Sequence, residues 1–506
     1  MGFYLGIDAS TQGMKALLID SVNVAVSEPV SVNFGRDLPE YHSPQGFLIV
    51  NDPYRKHADP LMWLEALDLL FTRIKAAGWP LQEIEGISGS AQQHGSVYLN
   101  ESFVQKLKEL SDAETLKEHF LHCFSQETAP IWMDQSTTKE CAELRLRFGK
   151  ELQDRTGSPA IERFTCSQIR KFSTDFPLAW TQTSCVHLVS SFLASVLGGV
   201  SAPVDYGDGA GMNLLNLKTM QWDSEILNFT ASNLSDKLPR PVPGNTIYGQ
   251  LNPYFKRYGF CEGIPLTVWS GDNPSSLIGT GGDTDTAIIS LGTSDTFFTA
   301  MKQFQYDPEG YGHIFGNPAG GFMSLTCFTN GSLARERIIK ECGISFTEFD
   351  IPSGRTPCGK LICPYFEPEI TPLVPMAVPK YNFDWKTASV KNKVRAIQES
   401  QALRMKLHSD WQACNFKAII VTGGASGSLA FRQIIADVFQ TTVKRTAVKE
   451  SAALGAALRA ANATRQIPFD VLTDKFCHVY DSIESEPQAD YGDLLKQYRE
   501  LEKSSL

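Results

Sequence analysis

A chain of 506 residues is longer than one hydrophobic core usually supports, so two or three domains are expected. Its 42% hydrophobic and 20% charged residues are ordinary for a soluble globular protein, and a net charge of −10 argues against nucleic-acid or anionic-membrane partners. The 11 cysteines contain no C-x-x-C pair, the closest being Cys358 and Cys363, which excludes a zinc-site spacing and leads us to expect reduced thiols in the cytoplasm.

The first element is the most informative. Leu5-Gly6-Ile7 is an apolar strand ending in Asp8, and Ala9-Ser10-Thr11-Gln12-Gly13 is a short polar turn. A second apolar strand through Ala16 to Ile19 follows and ends on Asp20. Backbone N–H groups and small hydroxyls in such a turn form a concave anion site, and Gly13 lets the backbone come close. Asp8 cannot take a phosphate directly, since both are negative. A hard cation or a water must lie between them, and Mg²⁺ takes only one or two carboxylates. Ordinary hairpin turns use the same residue types.

Asp59-Pro60 predicts a helix start, Leu64, Leu67, Phe71 and Ile74 recur at helical spacing, and Gly78 offers a stop. A strand over Ile84 to Ser88 is expected to run into the polar segment Gly89 to Gly95. A second polar cluster, Asp134-Gln135-Ser136, follows Ile131-Trp132. Strands that end in polar turns before helices predict an α/β layer fold with its site at strand ends. Leu266 to Trp269 is another short strand, leading into Ser270-Gly271-Asp272-Asn273. The Gly-, Ser- and Asp-rich interval that follows suggests a boundary between domains at 1–280 and 281–506.

Ala287 to Leu291 then repeats the opening theme. It enters Gly292-Thr293-Ser294 and leaves as Phe297 to Ala300, a weak internal repeat of the hairpin. Ile344 to about Phe383 is proline-rich and reads as an irregular insertion, and Val390 to Trp411 reads as a helix. The strand Ala418 to Val421 ends in Thr422-Gly423-Gly424-Ala425-Ser426-Gly427, and a helix through Phe431 and Val438 follows. Glu450 to Ala461, with its alanines and Gly455, reads as a helix suited to close packing, and the tail after Glu484 as a surface helix.

Thr422 to Gly427 is a strand-to-helix turn in which a nucleotide can approach bare backbone, although it matches neither G-x-G-x-x-G nor a Walker lysine motif. Asp272 suits an N-cap, or a general base that takes a hydroxyl proton as a phosphoryl group is attacked. His94 stands with Gln92 and Gln93 beside Gly95, a grouping that favours contact with a polar ligand. Arg163 reads equally as a solvated charge, and Asp208 most simply as a turn residue.

Together these segments resemble the FGGY carbohydrate kinases, members of the actin-like, two-domain ATPase superfamily. Gly6 to Gln12, Ser290 to Ser294 and Gly423 to Ser426 are similar to the three nucleotide elements of that family. Gln92 to Gly95, Arg163-Phe164-Thr165, Asp205 to Leu214 and Gly271-Asp272-Asn273 are similar to its sugar-site elements. Arg36 to Glu40 and Phe366 to Pro372 resemble the longer, animal-type xylulose kinase branch. The absence of a K-x-x-W signature near Arg170 to Gln182 sets the chain apart from bacterial members.

The resemblance implies an α/β fold of two actin-like (ribonuclease H-like) domains with a central cleft. It implies ATP and Mg²⁺ as cofactors and phosphorylation of D-xylulose. Asp272 would be the base, and Asp8 would organise the metal. Thr11, Gln12, Gly292 and Thr293 would line the phosphate path, and Gly423, Gly424 and Ala425 would lie against adenosine. His94, Arg163, Asp272 and Asn273 would contact the sugar. A small-molecule substrate is expected, with no nucleic-acid or membrane partner, in a monomer or homodimer. The rival readings are a ribulose or glycerol kinase, a non-metabolic actin-like ATPase, and a sugar-binding regulator without catalysis.

Overall fold

The computed structural model describes residues 2–350, 356–412, 416–486 and 490–504. Phe3–Ala9 and Gly13–Asp20 form an antiparallel hairpin in which Asp8 lies opposite Lys15. Ile84–Ala91 runs parallel to the first strand on its other side, with Asp8 opposite Ser90. Ser270–Gly271 continues the sheet in parallel, with Ser270 opposite Ser90. Buried on both faces, the first strand needs a near-continuous apolar run, which Tyr4 to Ala9 supplies apart from Asp8 at its end.

The crossover between the hairpin and its parallel neighbour includes the helix Pro60–Ala76. The Asp59 side chain accepts the Leu61 N–H, Pro60 occupies the first turn, and Gly78 lies just past the end at φ +71°. Leu64, Leu67, Phe71 and Ile74 are fully buried in the first core, as their spacing predicts.

The second sheet repeats the plan. Thr286–Leu291 and Asp295–Met301 form an antiparallel hairpin with Leu291 opposite Asp295. Ala418–Thr422 lies parallel beside the first of them, with Ser290 opposite Thr422. The weak repeat in the sequence is therefore a repeat of topology: a hairpin, with one parallel strand added next to its first member.

One helix departs from chain order. Ser451–Arg465 lies in sequence between two strands of the second sheet, Thr442–Thr446 and Val479–Ile483, yet it buries Ala453, Leu454, Ala457, Leu458 and Ala461 against Tyr4, Leu17 and Ile19 of the first. Glycines set the approach. A Cβ on Gly455 would sit 1.9 Å from the Ser275 carbonyl oxygen, and one on Gly279 would sit 1.9 Å from that of Ser451. The two helices cross backbone to backbone, as the Ala- and Gly-rich sequence suggests.

Other boundaries shift for identifiable reasons. The strand expected to end at Ser88 runs to Ala91, because Ser88 and Ser90 donate to the Val268 carbonyl and the Asp8 carboxylate. The helix from Val390 closes at Leu407 rather than Trp411, and Asp410–Gln412 forms a separate turn of 3₁₀ helix. The proline-rich insertion carries two small ladders, Ile362–Cys363 with Lys380–Tyr381 and Glu369–Ile370 with Leu373–Val374. Its residues 351–355 lie outside the described residues. Cys358 Sγ donates to Glu399, and Cys363 is buried in the second core.

Candidate active site

Lys15, Asp8, Ser90 and Ser270 form one row across four neighbouring strands of the first sheet. At roughly 4.8 Å between strands, Asp8 and Ser270 are about 10 Å apart. Asp8 and Asp272 therefore stand together beyond the carboxyl ends of parallel strands, where ligands of open α/β sheets bind. Asp8 is 7% exposed, and Ser90 Oγ donates to its Oδ1 at 2.7 Å. Burial pushes its pKa up to about 6 and Glu450 adds to this, while Ser90 and Lys15 oppose. Lys15 spends its charge on Glu450, with Nζ 2.8 and 2.9 Å from the two carboxylate oxygens.

Asp272 is not an N-cap. It is the first residue of the helix Asp272–Thr280, with Gly271 before it. Its Oδ1 accepts the Asn273 N–H at 2.8 Å and Asn273 Nδ2 at 3.0 Å, and Asn273 Nδ2 also donates to Gln93 Oε1 at 2.9 Å. Its surroundings push the pKa up to about 7, first by desolvation and then by the nearby Asp8 charge. A carboxylate tuned close to neutrality is suited to accept a proton at physiological pH.

His94 adopts φ +70° and is buried. Its Nδ1 lies 2.8 Å from the Gly211 carbonyl oxygen, so Nδ1 carries the proton and Nε2 is left as an acceptor. Burial, and then Arg163, lower its pKa to about 3, which keeps the ring neutral. Phe164 joins the two residues: the His94 ring packs on it at a tilt of 31° with centroids 4.4 Å apart, and the Arg163 guanidinium lies 5.6 Å from its centroid. Arg163 is not a solvated surface charge. It is half-buried, donates to His313 Nε2 at 3.3 Å, and among the described residues pairs with no carboxylate.

Both amide atoms of Gln92, Nε2 of Gln93 and Oδ1 of Asp208 are buried without a protein partner. Buried polar atoms are seldom left unpaired. Gln92 and Gln93 adjoin His94 in sequence, Gln93 is hydrogen-bonded to Asn273 beside Asp272, and their unspent hydrogen-bonding capacity suits a polyhydroxylated ligand. Asp208 was expected as a turn residue and is instead fully buried, with Ser190 Oγ donating to it at 2.5 Å. Burial raises its pKa well above the usual range, and Asp205 and Asp272 add to the shift. The glycines around it in sequence suggested only a turn, because nothing local reveals Ser190 or the protein that covers it.

On the other side of the cleft, Gly292, Thr293, Gly424 and Ala425 line a cavity of about 630 Å³ walled by Ile339, Phe349 and Phe431. Such apolar walls with a few polar groups suit a flat heteroaromatic ring. Gly423 has a more structural task. At φ +85° it places the turn where a Cβ would lie 2.5 Å from the Leu291 carbonyl oxygen. Thr11 and Gln12 sit at the tip of the first hairpin, and Trp132 Nε1 donates to Thr11 Oγ1 at 2.8 Å, a contact the sequence did not signal. Among the described residues no hydrogen bond joins this tip to Gly292 or Thr293.

The model of the FGGY family of carbohydrate kinases, N-terminal domain, matches residues 127–279, and that of the C-terminal domain matches residues 287–464. The chain belongs to the FGGY family of carbohydrate kinases. It is 36% identical to the xylulose kinase of Mus musculus over 90% of this chain and 85% of that protein. It is 37% identical to xylulose kinase 2 of Arabidopsis thaliana over 91% and 87%. Among solved structures, the ligand-bound xylulose kinase from Lactobacillus acidophilus aligns with a TM-score of 0.81 at 18% identity, covering 100% of this chain and 97% of that one. Plasmodium falciparum glycerol kinase with ADP aligns almost as well, with a TM-score of 0.80 at 17% identity over 100% and 97%. These structures fix the two-domain α/β fold of the kinase, while the fold leaves the sugar open. No helix among the described residues is long and apolar enough to cross a membrane.

Proposed function

We propose that this FGGY kinase transfers the γ-phosphoryl group of ATP to the terminal hydroxyl of D-xylulose, giving D-xylulose 5-phosphate. The observation that carries the substrate is the identity of 36–38% to mammalian xylulose kinases over 90% of the chain. Asp272 accepts the hydroxyl proton as the oxygen attacks phosphorus, and Asn273, tied to Gln93, fixes the carboxylate's orientation. His94 Nε2 accepts a sugar hydroxyl, and Arg163, whose guanidinium also lies against Phe164, supplies donors. Adenosine occupies the cavity beside Gly423, Gly424 and Ala425, and the phosphates run between Thr11 and Gln12 on one wall and Gly292 and Thr293 on the other.

The residues fit Mg²⁺ shared with the nucleotide. Among the described residues no cluster of three or more acids, histidines or cysteines could cage a metal, whereas Asp8 is a single carboxylate at the mouth of the phosphate turn. Bound there with ATP, Mg²⁺ supplies neutralisation of phosphate charge. Closing the cleft brings the walls together and excludes water, which limits hydrolysis of ATP. A cytoplasmic enzyme, monomeric or homodimeric, accords with this role.

A substrate panel with coupled ADP detection tests the reading. D-xylulose is expected to give the highest kcat/KM, ahead of ribulose and glycerol. Fast ADP release without any sugar would instead favour a non-metabolic ATPase, and no release with any sugar a regulator. His94→Ala is expected to raise KM for D-xylulose about tenfold or more, the cost of roughly 1.5 kcal/mol for one lost polar contact and the groups left unpaired around it. An unchanged KM would remove His94 from the sugar site.

A further inference from the structure

Arg459 is a fully buried cation in the middle of the helix Ser451–Arg465, and among the described residues no carboxylate pairs with it. Its two terminal nitrogens donate to carbonyls, with Ser275 Oγ 3.5 Å from one of them, while Nε is buried without a protein partner. One terminal nitrogen donates to Gly89 O at 3.2 Å, and the other to Val268 O at 2.6 Å and Gly244 O at 3.1 Å. Burying an arginine to hold three backbone oxygens is costly, since peptide oxygens repay less of its lost hydration than a carboxylate would. The place of those oxygens accounts for it. Gly89 precedes Ser90, which holds Asp8, and Val268 lies on the segment that delivers Asp272.

A second tie grips the same segment. Ser270 Oγ donates to Asp205 Oδ2 at 2.8 Å, and Asp205 also accepts the Asp208 N–H. The Arg459 charge favours the ionised forms of both Asp205 and Asp208 against the burial that opposes them. Residues 268–272 are thus pinned at Val268 by the guanidinium and at Ser270 by the carboxylate it supports. The group doing this comes from a helix inserted in sequence between two strands of the second sheet.

We infer that Arg459 is a positioning residue of the kinase reaction: its guanidinium sets the spacing between the strand ends that carry Asp8 and Asp272. The inference rests on the base role proposed for Asp272. A planar fork that reaches three carbonyls has no equivalent in an ammonium, which is one point charge with three donors.

The test is a mutant cycle with D-xylulose and Mg-ATP. Arg459→Lys is expected to lower kcat about tenfold and Arg459→Met about 10²-fold, the scale of a small misplacement of a reacting group. In the Asp272→Asn background the Arg459→Lys change is expected to leave the residual rate unaltered, because the group being aligned is gone. A purely stabilising residue would shift the urea midpoint and leave kcat per folded molecule unchanged. That outcome, or a full tenfold loss repeated in the Asp272→Asn background, overturns the inference. The lysine variant carries the test if the methionine variant does not fold. Additive losses in an enzyme that turns over D-xylulose refute the Arg459 role alone. Absence of sugar-dependent ADP release from the wild type refutes the kinase reading beneath it.

Discussion

Asp272→Asn is expected to lower kcat by about 10²–10⁴-fold while leaving D-xylulose binding largely intact, since the amide keeps the shape of the carboxyl and loses only its basicity. The same substitution is expected to stabilise the unliganded enzyme at pH 8. Asp272 has its folded pKa raised to about 7 from an ordinary 3.8, so between those values the folded state holds a proton that the unfolded chain has lost. Stability contributed by that group therefore falls as pH rises through this window. Asparagine removes the penalty, which for a partly exposed carboxyl is about 1–3 kcal/mol at pH 8. The measurement is a pair of curves: kcat/KM against pH, and Tm against pH, for wild type and variant. The wild-type rate is expected to fall on the acid side from near pH 7, and the Tm gap between variant and wild type to shrink towards pH 4. An acid limb near pH 4, or near-normal turnover by the variant, would exclude Asp272 as the base.

The second large effect concerns the crossing of two helices. Gly455→Ala is expected to destabilise the protein by at least about 3 kcal/mol, the upper range for overpacking, because the new methyl meets a backbone oxygen rather than a yielding side chain. The helix it pushes away is Asp272–Thr280, so whatever folds should also lose kcat. Gly424→Ala provides the contrast. A Cβ there meets nothing within 4 Å, and its backbone is not left-handed. That variant is expected to keep wild-type stability within about 0.5 kcal/mol. Equal urea midpoints for Gly455→Ala and wild type would show that the helices can separate at no cost.

Much of the site was legible because its signals are local. A strand ending in Asp8, a turn of small hydroxyls and a second copy at Leu291 to Thr293 are consecutive residues, and hairpin pairing needs no distant partner. The same holds for Asp59-Pro60 and the buried stripe behind it. The readings that changed are those where the deciding partner is far away in sequence. From its neighbours in sequence Arg163 reads equally as a solvated charge, and only Phe164, His313 and His94 show it half-buried. Asp208 reads as a turn residue until Ser190 and Asp205 surround it. The strand from Ile84 reads as ending at Ser88 where the polar run Gly89 to Gly95 begins, whereas in the structure Val268 and Asp8 satisfy the Ser88 and Ser90 hydroxyls and the strand continues.

The sequence by itself determined an α/β chain with a repeated hairpin and a carboxylate, Asp272, at a strand end, since apolar period and turn chemistry act over a few residues. The kinase reading came from the resemblance of those segments, taken together, to the FGGY family. Only the tertiary structure decided how the two acids come to stand together. Their separation depends on strand register, on an arginine almost 190 residues beyond Asp272, and on close approaches of a late helix at Gly6 of the first sheet and at the Gly279–Gly455 helix crossing. Those are close approaches between distant segments, and burial and contact are properties that no single stretch of chain carries.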